Sequence, residues 1–177
     1  MKLRKLVSAL LVGGAALSLS ATALAYQLLG STWSNPKAIK YYYATNFPSD
    51  LQTATNAGAG AWNSACPEVS IVSGSSSSGN VYMKSTYNSS SPYSGTTALN
   101  GSSGNISNAS VTINTYYSNG YDSTKKKSLL GHELGHVLGL GESGDVWALM
   151  YPSDSERAYR GTSAPRDDDK SGISYLY

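Results

Sequence analysis

Apolar residues recur along this chain in two rhythms. Short runs in which aliphatic, β-branched or aromatic side chains cluster or alternate with polar ones occur at residues 39–43, 69–72, 81–83, 96–99 and 111–117, and they predict strands. Between and after them the spacing becomes helical. Leu51, Ala54, Gly58, Ala61 and Trp62 recur at helical spacing after a Pro48-Ser49 opening, and Ser49 followed by Gln52 has the form of a capping box. Gly58 and Gly60 cost this helix about 1 kcal/mol each relative to Ala if interior, or else permit a close approach. Leu130, Leu134, Val137 and Leu138 form the stripe of a second helix, capped by Asp122 or Ser123 and stopped by Gly139 and Gly141. A last helix is expected from about Asp167-Asp168-Asp169, whose charges suit a helix start, through Ile173 and Leu176 to Tyr177. Residues 73–79 and most of 85–110 are rich in Ser, Gly and Asn and read as loops. No internal repeat or second domain stands out.

Composition changes this picture at the start of the chain. Lys2, Arg4 and Lys5 precede an apolar run over residues 6–19, and Ala23-Leu24-Ala25 has the small-x-small form of a cleavage site. Residues 1–25 therefore read as a secretion signal and residues 26–177 as the mature domain. The run is short of the roughly 20 residues a membrane span needs, so no stable membrane anchor is expected after cleavage. Three of the 13 basic residues belong to this leader, which leaves ten against 11 acidic ones. The overall charge of +2 is thus no nucleic-acid footprint. Cys66 is the single cysteine, which excludes an intrachain disulfide. Lys125, Lys126 and Lys127 at the head of the second helix read as a solvated face.

The candidate chemistry lies in residues 132–142, His-Glu-Leu-Gly-His-Val-Leu-Gly-Leu-Gly-Glu. His132 and His136 are the only histidines. Four apart on a helix, they share one face and can bind one zinc ion. Glu133 lies beside that face and can act as general base toward a water activated by the metal. A catalytic zinc takes three protein ligands and leaves one position open. After the turn at Gly139, Glu142 is the natural third ligand, since two histidines and a glutamate form an accepted catalytic set. Asp145 is the next choice.

These residues resemble the metzincin zinc peptidases, whose pattern is His-Glu-x-x-His-x-x-Gly-x-x-His. Ala148-Leu149-Met150-Tyr151-Pro152 is similar to the Met-turn of the matrixin branch, and Asp168 to Ile173 with Tyr175-Leu176-Tyr177 is similar to its C-terminal helix. Trp33, the 39–43 strand and Trp62 resemble the opening of small secreted bacterial matrixin-type domains. The resemblance implies an α+β, metzincin-like (zincin) domain: a twisted mixed five-stranded sheet with two long helices and a C-terminal helix. It implies that His132 and His136 bind Zn2+, that Glu133 is the catalytic base, that Gly139 allows the turn, and that Met150 forms a hydrophobic floor under the metal. It further implies an extended protein or peptide substrate paired along an edge strand, for which residues 96–100 are the candidate. The chain departs from the pattern in three places. Glu142 stands where the family has its third histidine, a place where some secreted bacterial relatives carry Asp. No zinc-blocking cysteine precedes the domain. Lys170 takes a position that is usually apolar.

The expected activity is that of a secreted, extracellular zinc-dependent endopeptidase, acting as a monomer without nucleic acid. The alternative is a catalytically inactive pseudoenzyme of the same fold that binds peptide or cell-surface material. A structural zinc site fits less well, because such sites favour four ligands and cysteine. Calcium (Ca2+) is left unassigned, since acidic residues are few and no oxygen-rich loop stands out.

Overall fold

The structure, a computed structural model, describes residues 25–177. The leader expected over residues 1–25 lies outside the described residues apart from Ala25. Among the described residues eight strands and five helices follow in the order β1 (Tyr26–Leu28), β2 (Thr32–Trp33), β3 (Ile39–Tyr43), α1 (Ser49–Ala65), β4 (Ile71–Ser73), β5 (Val81–Thr86), β6 (Gly95–Ser102), β7 (Asn105–Asn114), α2 (Thr115–Ser118), α3 (Ser123–Val137), β8 (Leu140–Ser143), α4 (Asp154–Tyr159) and α5 (Asp167–Leu176).

The expected α+β fold with a mixed sheet is present. β7, β5, β3 and β4 lie side by side in parallel, and β6 runs antiparallel along the outer edge of β7. These five are the predicted strands. The two-residue β2 adds a sixth, parallel to the start of β7. One face of the sheet is apolar because alternate residues turn inward: Ile39 and Tyr41, Val81 and Met83, and Ala109, Val111 and Ile113 are all buried. Helices α1 and α3 lie against each other over this core. Their crossing is close because Gly58 faces Gly131, where a Cβ on residue 58 would stand 2.9 Å from the Gly131 nitrogen. Gly58 is therefore a packing residue, whereas Gly60 faces open space.

Several local expectations are corrected. The α1 cap is Pro48 and no capping box forms, because Gln52 Nε2 donates instead to the Phe47 carbonyl at 2.9 Å. The strand predicted over residues 111–117 begins at Asn105 and ends at Asn114. There the Asn114 side chain accepts from the Tyr116 amide and starts the short helix α2. Strand propensity at residues 115–117 is thus overridden by a local cap. Gly141 does not stop a helix but lies in β8, which pairs antiparallel with β1. Asp122 caps α3 as expected, accepting from the Lys125 amide at 2.8 Å. Lys125 lies over the Tyr121 ring and Lys126 pairs with Asp50 at 2.7 Å, so these lysines are half-buried and not fully solvated. Lys170 sits half-exposed on α5 while Gly172 and Ile173 supply the buried side of that helix. Among the described residues no helix is long and apolar enough to cross a membrane.

Candidate metal centre

Helix α3 carries His132, Glu133 and His136 on its last turns, and β8 brings Glu142 back toward them after a turn at Gly139. Gly139 has φ of 95°, a left-handed conformation that L side chains rarely adopt. A Cβ there would also stand 2.5 Å from the Ser31 carbonyl oxygen. Both reasons make glycine the residue for this turn.

The turn gives the expected convergence. Glu142 Oε1 lies 3.6 Å from His132 Nε2 and 3.5 Å from His136 Nε2. One ligand atom from each of the three residues falls within 4.8 Å of the others. The two rings stand edge to face, 4.7 Å apart at their centroids. Each Nδ1 meets a backbone carbonyl, Leu149 O at 2.9 Å for His132 and Leu140 O at 2.8 Å for His136. A carbonyl only accepts, so Nδ1 carries the hydrogen and the neutral ring turns the Nε2 lone pair into the cluster. Burial alone would raise the Glu142 pKa, but when Nε2 carries a proton in place of a metal the two imidazoles donate to the carboxylate and attract it, which outweighs burial and holds the pKa at about 2. Burial pulls His136 down, yet Glu142, Glu133 and the Leu140 carbonyl together raise it above its ordinary value.

The donor set fits a zinc ion. Two Nε2 lone pairs and an anionic carboxylate face one point, and Glu142 Oε2 is buried with no hydrogen-bond partner. A cation held by three such donors would satisfy them all. Asp145, the reserve candidate, is occupied elsewhere: its Oδ1 accepts from the Trp147 amide at 3.0 Å. It is not part of the cluster.

Glu133 is buried beside this cluster, and Thr97 of β6 donates to its Oε2 at 2.6 Å. Gly95 faces the same carboxylate so closely that a Cβ would collide with Glu133 Oε1. β6 is thus the predicted edge strand, and its first three residues line a cleft of about 630 Å³ that also contains His132, Glu133, His136 and Glu142.

Met150 is 1% exposed and belongs to the hydrophobic core. Gly135 leaves the space it fills, since a Cβ there would collide with Met150 Sδ and stand 2.9 Å from Trp62. Trp62 donates to the Gly131 carbonyl at 2.7 Å and Trp33 to that of Val137 at 2.7 Å, which fixes α3 from two sides.

Asp169 of α5 was missed as a site residue. It is fully buried and accepts from the amides of Leu149 at 2.7 Å, Met150 at 2.9 Å and Arg166 at 2.7 Å. Burial pushes its carboxyl above the ordinary value against the pull of those three donors. The Met150 amide it holds and the Leu149 carbonyl that orients His132 are the two polar groups of a single peptide, so α5 is tied to His132 through that one peptide. The acidic run at residues 167–169 was visible in the sequence, but only as a helix start. Nothing in the sequence distinguished Asp169 from its exposed neighbour Asp167.

Residues 32–177 match the matrixin family of peptidases. A 51-residue stretch is 47% identical to metalloendoproteinase 1 from Glycine max, covering 29% of this chain and 16% of that protein.

Proposed function

The chain belongs to the matrixin family of metallopeptidases, and on that premise we propose that it is a zinc-dependent endopeptidase whose metal is held by His132, His136 and Glu142 and whose general base is Glu133. The observation that carries the reading is the convergence of two Nε2 atoms and one carboxylate, whose Oε2 is buried without a hydrogen-bond partner, beside the second, buried carboxylate of Glu133. Bound zinc supplies Lewis acidity, which lowers the pKa of water and polarises a carbonyl. The chain's own residues do the rest. Thr97 donates to Glu133 Oε2 and fixes that carboxylate at the cleft wall. Glu133 then takes a proton from the attacking water and returns it to the leaving amide nitrogen. Among the described residues strand β6 pairs with β7 alone, which leaves its other edge for an extended peptide to add by main-chain hydrogen bonds.

The proposed setting is extracellular. The basic, apolar and small-residue segments before Tyr26 support export, and the protein is proposed to work as a monomer on protein or peptide substrates. The inactive alternative is less favoured, since Thr97 donates to Glu133 at the cleft and three candidate donor atoms converge beside it.

The test uses the purified chain with an unfolded protein as substrate. Wild type should carry about one zinc and cleave it, and Glu133→Ala should keep the zinc and lose cleavage. Stoichiometric zinc with no cleavage across a broad peptide library would refute the peptidase reading.

A further inference from the structure

A group of buried and half-buried polar side chains lies near Glu133 and takes no part in the proton transfers. Arg157 of α4 is 1% exposed. Its guanidinium pairs with Asp154 Oδ1, donates to the Tyr151 carbonyl, and donates through Nε to Ser128 Oγ at 3.2 Å. The other Asp154 oxygen accepts from Ser94 Oγ and from the Tyr121 hydroxyl at 3.0 Å. Three segments therefore meet at one carboxylate, the residue before β6, the turn into α3 and α4, and Arg157 links that carboxylate to α3 through Ser128.

Asp154 lines the catalytic cleft, whereas Arg157 does not. Ser94 precedes the Gly95 that packs on Glu133, and Leu129, one helical turn before Glu133, lines the same stretch. The part of the cleft next to the base thus ends on an anionic oxygen with a buried cation behind it. Arg157 cannot lose its proton at any ordinary pH, and among the described residues Asp154 is the acidic side chain paired with it. An uncompensated guanidinium at this depth would dominate the local field.

We propose that the Asp154–Arg157 pair sets substrate selectivity beside the scissile bond: Asp154 masks Arg157 and presents negative charge to the cleft, so acidic side chains are turned away and neutral ones accepted. The inference rests on the peptidase reading above. Asp154→Asn keeps the shape of the side chain and unmasks Arg157. The double variant Asp154→Asn/Arg157→Gln removes both charges.

The experiment compares kcat/KM for peptides that carry Asp, Glu, Asn, Gln or Ala at the residues flanking the cut. Wild type should cleave the neutral peptides better. In Asp154→Asn the acidic-to-neutral ratio should rise roughly tenfold or more, as expected for a charge pair newly formed in a partly desolvated site. The double variant should lose that gain. An unchanged ratio in Asp154→Asn, or an equal rise in the double variant, would overturn the proposal. If Asp154→Asn does not fold, Ser94→Ala serves instead. It removes one donor from Asp154 and should lower the ratio further, and an unchanged or higher ratio there would overturn the proposal. A wild type that cleaves no peptide overturns the parent reading and this inference with it. A wild type that cleaves neutral peptides leaves the ratio as the test of the pair alone.

Discussion

Asp169→Asn perturbs the site without touching any proposed ligand. The native carboxylate accepts three amide hydrogens, two on Oδ2 and one on Oδ1. Asparagine keeps one accepting oxygen, and its amide group must face at least one of those donors. At least one buried N–H is then left unpaired, at a cost of roughly 1–3 kcal/mol. The remaining bonds lose their charge assistance as well. Burial opposes the native charge and raises its pKa, so removing the charge recovers part of this loss. The net cost should be about 2 kcal/mol, or roughly 4–8 °C in melting temperature for a domain of this size. The same change loosens the Leu149 peptide and with it the His132 ring, so zinc affinity should fall roughly tenfold. Thermal melting and competition with a chromogenic chelator read the two effects. A variant that melts within about 1 °C of wild type and binds zinc within about twofold would refute the proposed tie between α5 and the metal face.

Gly95→Ala should push Glu133 from its place, lowering kcat roughly tenfold or more while leaving zinc content unchanged; a steady-state assay beside metal analysis checks it. Cys66 is buried, and burial pushes its thiol up to about 12. The thiolate is the reactive form and would appear only near that pH, so the folded protein should resist a disulfide-exchange reagent at pH 8 and react fully once unfolded. Lys126→Ala breaks an ion pair whose Asp50 partner is half-exposed, so chemical denaturation should show a loss below about 1 kcal/mol.

Much of this could be read from the sequence, for reasons that differ by element. The histidine helix was legible because its ligands, stripe and stop lie within a few residues of one another. The five main strands were legible from their alternation, although β7 begins six residues earlier than predicted because Asn105 and Asn108 have little strand propensity and are held by pairing with β6. β1 and β8 were invisible: they are strands only because tertiary contacts set Tyr26 against Ser143 and Leu28 against Leu140, with Gly141 beside Gln27. α4 and its buried Arg157 were also missed. An arginine in a short polar segment reads as surface, and only the carboxylate, carbonyl and hydroxyl around it show otherwise. Thr97 was placed on the candidate edge strand, but its bond to Glu133 needs the three-dimensional fold.

The account turns on Glu142, the residue that departs from the family pattern. The most direct measurement is the zinc dissociation constant of Glu142→Ala against wild type, at fixed pH and ionic strength. If Glu142 is the third ligand, affinity should fall beyond the roughly 10–100-fold lost when only a hydrogen-bond partner of a ligand is removed, and Glu142→His should restore it. An alanine variant that binds zinc as tightly as wild type would contradict the account.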